Sequence, residues 1–80
     1  AATPVFIRLT SAGEAVVRGQ RVPPGGLAPL LEPLFEERPT AAALILPAPE
    51  SPTAALVTTM EMAVTSGAAS VRLLRAEDSP

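Results

Sequence analysis

The 80-residue chain has eight Asp and Glu residues against six basic residues, all of them Arg, and a net charge of -2. It has no Cys and no His, which excludes disulfides, thiolate metal sites, a Ser-His-Asp triad and a Cys-His pair. The acidic balance and the scarcity of aromatic rings argue against nucleic-acid binding. The longest apolar run, residues 41–48, is far shorter than the ~20 residues that span a bilayer. The chain is therefore predicted to be a soluble protein, or a soluble fragment of an anchored one.

The first third of the chain predicts a β-hairpin. VFIRLT (5–10) alternates apolar and polar residues with a period of two, which is typical of a half-buried strand. SAGE (11–14) is a turn, and AVVR (15–18) is a second short apolar run that ends at Gly19. Two strands joined by about four turn residues most simply form a hairpin.

The middle of the chain predicts a helix and then a buried strand. After the break VPPGG (22–26), apolar side chains recur with helical spacing on one face, at Leu27, Leu30, Leu31, Leu34 and Phe35. Pro33 falls inside this helix, so we expect a bent or irregular helix that ends before Arg38. The continuous apolar run AAALIL (41–46) is typical of a central strand covered by helices.

A second helix and a last strand follow the loop PAPESP (47–52). Ser51 is the predicted N-cap with Pro52 at the first helical position, and Gly67 is the predicted C-cap. The predicted buried face of this helix consists of Leu56, Met60, Ala63 and Val64. SVRLLR (70–75) is the predicted last strand, and AEDSP (76–80) is a polar tail.

The order β-β-α-β-α-β predicts an α/β (α+β) two-layer sandwich, a mixed four-stranded sheet with two helices on one face. The last two strands should be parallel, joined by a right-handed crossover. We expect a single domain over residues 1–80, with residues 1–4 and 76–80 as flexible ends.

Few residues are candidates for chemistry. Glu36, Glu37 and Glu61 are predicted to be solvated surface residues, and Glu50 a favourable charge near a helix N-terminus. PPGG (23–26) lacks the Lys and Ser/Thr of a nucleotide-binding loop. No catalytic, cofactor-binding or metal-binding residue is predicted. One hypothesis remains, that the side chains of three arginines gather on one polar surface and contact an anion or a carboxylate: Arg8, Arg18 and Arg21.

The spacing of these elements resembles the periplasmic domain of the ExbD/TolR family. The segment AGEAVVRGQRVPPGGL fits the family pattern dG.iyvnG..v....L at Gly13, Gly19, Val22 and Leu27. Pro39 stands where the family has a proline before its third strand. The later pattern v.i.aD...P....v..vmd.a..aG...v.l is matched, directly or one conservative step away, at Pro52, Val57, Met60, Glu61, Gly67, Val71 and Leu73. The resemblance covers residues 5–75 and departs at Ala48, where the family often has an Asp.

The resemblance implies a context for the chain. Proteins of this family have a short cytoplasmic start, one helix in the bacterial inner membrane, a flexible linker and this domain in the periplasm. They work with an ExbB/TolQ/MotA-like channel protein that uses proton-motive force, through a membrane-helix Asp that has no counterpart in this chain. Force passes to TonB- or TolA-like proteins, or to cell-wall or motility machinery. The chain thus resembles a non-catalytic fragment of a single-pass membrane protein, without a cofactor, and is expected to form a homodimer.

The family resemblance directs attention to the edge of the sheet as the partner-binding site. The last strand is the candidate edge, and its candidate residues are Val71, Arg72, Leu73, Leu74 and Arg75. The alternative is an ordinary edge strand guarded by Arg72 and Arg75. A second possible function is peptidoglycan binding, which the scarcity of aromatic side chains makes the weaker hypothesis. A third is a small enzyme or regulatory subdomain completed by another chain, against which the lack of His, Cys and Lys argues.

Overall fold

The structure, a computed structural model, describes residues 3–74 of the chain. The two residues before this range, the predicted flexible tail 76–80 and Arg75 lie outside it. The elements in chain order are β1 (Val5–Leu9), β2 (Ala15–Val17), β3 (Gln20–Val22), a 3-10 turn (Pro24–Gly26), α1 (Ala28–Glu37), β4 (Ala42–Pro47), α2 (Thr53–Thr65) and β5 (Ser70–Leu73).

The strands form one mixed sheet in the order β3-β2-β1-β4-β5. The hairpin strands β1, β2 and β3 pair antiparallel, whereas β4 pairs parallel with both β1 and β5. The predicted α/β class, the mixed sheet and the parallel pairing of the last two strands are confirmed. The predicted number of strands is wrong, since the sheet has five.

The strand that was not predicted is β3. It arises from a tight turn after β2, at the point where the hairpin was predicted to end. Val17 pairs with Gln20, which leaves Arg18 and Gly19 as the two turn residues. Both have positive φ, 53° and 80°, as the favoured two-residue hairpin turns require. A non-glycine residue rarely adopts this conformation, so Arg18 gave no signal for a turn, and β3 was missed.

Only one face of the sheet is buried. Alternate residues of β1 are buried at Val5, Ile7 and Leu9, whereas Phe6 and Arg8 are exposed. The same face of the neighbouring strands, together with both helices, supplies the rest of the core, which comprises Ala15, Val17, Leu27, Leu31, Phe35, Ala41, Ala43, Ile45 and Ala63. The domain therefore has two layers, with helices on one face and the other face of the sheet open.

Helix α1 is unbroken from Ala28 to Glu37, although it contains Pro33. The ring of Pro33 is exposed, and its missing N–H would have bonded to the carbonyl of Pro29, in the first turn of the helix. The predicted buried face is confirmed, with Leu31 and Phe35 in the core.

Two predictions about α2 are wrong. Ser51 is not an N-cap: its hydroxyl donates to the carbonyl oxygen of Thr10 at 2.9 Å, and Pro52 takes the cap position. Val64 is 63% exposed, and Thr59 is buried in its place. Burial of Thr59 is tolerated because its hydroxyl donates to the carbonyl of Ala55 at 2.8 Å.

The end of α2 directs the chain into β5. Gly67 follows the helix with φ 107°, a conformation that glycine adopts without steric cost. A Cβ atom there would lie 3.5 Å from the Cβ of Phe35, so the chain passes close to α1 at this point. This turn delivers the last strand to the outer side of β4 and makes it the edge of the sheet.

Candidate interaction surfaces

Strand β5 forms one edge of the sheet. It is held to β4 over the pairs from Ala42–Ser70 to Ile45–Leu73. Beyond the strand, the N–H of Leu74 still donates to the carbonyl of Ile45 at 2.8 Å. In the described part of the chain, no strand pairs with the other side of β5. The candidate residues Val71, Arg72, Leu73 and Leu74 therefore lie on an open edge, and Arg75 lies outside the described residues.

The backbone of this edge has a definite orientation. Successive residues of a strand direct their N–H and C=O groups to opposite sides in the plane of the sheet. Since the N–H of Leu74 bonds to β4, this alternation directs the N–H groups of Leu73 and Val71 away from β4. They are available to a strand from another chain.

The opposite edge is less suited to pairing. Strand β3 has three residues, and Pro23 and Pro24 follow it directly. Short strands and prolines are common ways of preventing edge-to-edge association. The two edges therefore differ, and β5 is the one left open.

Exposed apolar side chains lie at the end of β5 and on α2. The large exposed apolar residues among those described are Phe6, Val57, Val64, Leu73 and Leu74. Leu73 and Leu74 lie at the open edge itself, whereas Val57 and Val64 are on the solvent side of α2. An exposed apolar group next to an open edge is typical of an interface.

The open face of the sheet carries a second surface that the sequence analysis found only in part. Its residues, which we call the outer face, are the apolar Phe6, Val16, Leu44 and Leu46 and the exposed Arg8, Arg21 and Arg72. Arg8 and Arg21 line one hollow of about 380 Å³. Arg18 does not join them, because it lines a different hollow with Phe6, with Leu34 of α1 and with Arg38, which follows α1. The apolar residues at alternate positions of β4 are the sequence signal for this face, but the sequence alone favours a strand that is buried on both sides.

The acidic candidates are dispersed. Glu36, Glu37, Glu50 and Glu61 are exposed. Within residues 3–74, no group of three or more His, Cys, Asp or Glu side chains is placed to hold a metal ion. No helix in that range is long and apolar enough to cross a membrane.

Ala48, the position of the departure from the family pattern, follows β4. Its N–H donates to the carbonyl of Leu9 at 2.9 Å. Its side chain lines the hollow that contains Arg8 and Arg21. An uncharged residue thus shares this hollow with two arginines of the outer face.

No protein-family model matches this chain, and none of the curated proteins compared with it matches either.

Proposed function

We propose that the chain is a periplasmic, non-catalytic interaction domain of an ExbB/ExbD- or TolQ/TolR-type complex. In this proposal it is anchored in the bacterial inner membrane by a helix outside the chain and transmits force to a TonB- or TolA-like protein. The observation that carries the proposal is the open β5 edge, with the exposed apolar side chains of Leu73 and Leu74 on it. The resemblance of residues 5–75 to the ExbD/TolR pattern supplies the biological context.

The β5 edge suits mechanical coupling for a simple reason. A partner strand that pairs with the N–H and C=O groups of Val71 and Leu73 forms several backbone hydrogen bonds side by side. A pull along the strand then loads these bonds together. The exposed side chains of Leu73 and Leu74, at 46% and 36%, supply apolar area that a partner would bury. The same edge is available to a second copy, which is the expected homodimer.

Photo-crosslinking in cells tests this proposal. A photoreactive amino acid replaces Leu73 in the full-length protein, and a matched variant carries it at Glu32, an exposed residue of α1. We expect the probe at Leu73, and not the probe at Glu32, to yield products with a second copy and with a TonB- or TolA-like protein. The partner product should disappear when an uncoupler collapses the proton-motive force. Equal products from both positions, or none from Leu73, would contradict the proposal.

Peptidoglycan binding on the same fold is the alternative, and a sedimentation assay separates the two. Phe6 is the one large aromatic side chain exposed in the described residues, at 55%, and sugar recognition usually uses several. We therefore expect the domain to stay in the supernatant when isolated peptidoglycan is sedimented. Co-sedimentation that a Phe6→Ala variant abolishes would replace the force-coupling proposal with the cell-wall one.

A further inference from the structure

The outer face of the sheet leaves its parallel strands uncovered on one side. The sheet is mixed, but β1, β4 and β5 are parallel neighbours, and parallel strands are most often covered on both faces. Here both helices lie on one face, and the other exposes Phe6 with Leu44 and Leu46 beside it. A third layer would complete the packing.

The charges of this face indicate what the third layer carries. The sheet register places Phe6 beside Leu44 and Leu44 beside Arg72, and in the next row it places Arg8 beside Leu46. Leu44 and Leu46 of β4 therefore have an arginine on each side, Arg8 on β1 and Arg72 on β5. Among residues 3–74, Glu14 is the one carboxylate paired with an arginine of this cluster, 3.9 Å from Arg21 and well exposed, so it neutralises little of the charge. A chain with an acidic net charge of -2 thus presents a cationic face.

A ligand on this face, unlike one on the edge, finds no free backbone groups to pair with. Backbone groups of the ligand that are buried against the apolar residues need partners within the ligand, which a helix provides and a lone strand does not. Neighbouring strands are about 4.8 Å apart, so Arg8 and Arg72, two strands apart, are separated across the sheet by about 10 Å. That spacing matches the ~10 Å diameter of a helix lying over β4.

We propose that the outer face binds an amphipathic helix of a partner protein, with an apolar stripe on Phe6, Leu44 and Leu46 and carboxylates on its flanks against Arg8 and Arg72. A second copy of the chain fits poorly. Face-to-face packing would bring arginines against arginines. Packing of α1 on the face would offer Glu32, Glu36 and Glu37, but no large exposed apolar side chain on that helix. Packing of α2 would offer the exposed Val57 and Val64, but only one carboxylate, Glu61, against two arginines.

The test uses a defined probe and the intact domain. The probe is a fluorescent, hydrocarbon-stapled helix of about 18 residues, or five turns, with Leu on one face and Glu on both flanks. A matched probe has Gln in place of Glu. By fluorescence anisotropy we expect the Glu probe to bind, and the Gln probe to bind about tenfold more weakly. Raising salt from about 0.05 M to about 0.5 M should weaken binding of the Glu probe and leave the Gln probe little changed.

Two variants locate the site. Arg8→Glu should weaken binding of the Glu probe by about tenfold or more and leave the Gln probe unaffected. Arg18→Glu makes the same change in net charge in a different hollow, which Arg18 shares with Phe6 and with Leu34 of α1, and should weaken the Glu probe much less than Arg8→Glu does. Ala48→Asp, which puts a carboxylate in the hollow of Arg8 and Arg21, should also weaken the Glu probe. Far-UV circular dichroism establishes that each variant is folded.

Four results would overturn the inference. The first is equal binding of the two probes, and the second is an equal effect of Arg8→Glu and Arg18→Glu. The third is binding to phosphatidylglycerol vesicles, lost in Arg8→Glu, without binding of the Glu probe. The fourth is concentration-dependent self-association of the domain that Arg8→Glu abolishes. The β5 edge would bind a partner through backbone groups, and the outer face would bind a helix through side chains. Failure of the helix-binding test therefore leaves the proposed function of β5 standing. Failure of the strand-docking test likewise leaves the helix-binding inference standing.

Discussion

Replacing Leu31 by alanine is expected to lower the free energy of unfolding by about 2–5 kcal/mol. Leu31 lies in the middle of α1 and is fully buried against the sheet. A domain of this size has about 4–12 kcal/mol in total, so the variant should be largely unfolded at modest urea concentrations. Urea denaturation followed by circular dichroism measures the change.

Leu73→Ala is the matched control, since it makes the same chemical change at a leucine that is 46% exposed. Its expected loss is under about 1 kcal/mol. Equal losses for the two variants would mean that the core does not lie between the helices and one face of the sheet.

Replacing Leu73 by proline is expected to abolish pairing along the β5 edge while the domain stays folded. Proline has no N–H and is tolerated on edge strands where that group faces away from the sheet. It restricts the preceding residue to extended conformations, which Arg72 already adopts within β5. With the photoreactive amino acid moved to Leu74, the crosslinks to the partner and to a second copy should disappear. A force-dependent phenotype of the full-length protein, such as energised uptake or outer-membrane integrity, should be lost with them.

Leu73→Ala again provides the control, because it shortens the side chain and keeps the N–H. It should retain most of the crosslinked product. If Leu73→Ala and Leu73→Pro lose it equally, side-chain packing rather than backbone pairing carries the contact. If neither variant loses it, the edge is not the docking surface.

Local patterns predicted most elements of this fold because their signals lie within a few neighbouring residues. The alternation of VFIRL defines β1 and its buried side. The leucines of α1 predict its buried face in spite of Pro33. Gly67 marks the end of α2 with a positive φ. In each case an apolar residue occupies a position that faces the core, or a glycine occupies a position with positive φ.

The wrong predictions depend on contacts between distant residues or on uncommon conformations. Ser51 has the side chain of a good N-cap, but its hydroxyl donates instead to the carbonyl of Thr10, the residue that follows β1. Val64 is more apolar than Thr59, but the rotation of α2 on the sheet buries the threonine. Arg18 adopts a backbone conformation for which sequence patterns lead one to expect Gly or Asn.

The candidate surfaces were predictable to different degrees. The last strand is the candidate edge in the sequence analysis because of the family resemblance, and the structure places β5 at an edge. The grouping of arginines was half right, since Arg8 and Arg21 share a hollow and Arg18 does not. Sequence alone did not reveal the open apolar face. Leu44 and Leu46 have the apolar side chains of core residues, and only the arrangement of the helices and the sheet shows that they lie on the outer face.

Hydrogen–deuterium exchange of the β5 amides tests the central claim most directly. The claim is that the domain works by docking a partner strand on β5. In the isolated domain, the amide of Leu74, which bonds to Ile45, should exchange more slowly than those of Val71 and Leu73. In the complex with the TonB- or TolA-like partner, the amides of Val71 and Leu73 should become strongly protected. Protection confined to other elements, or unchanged exchange at Val71 and Leu73, would contradict it.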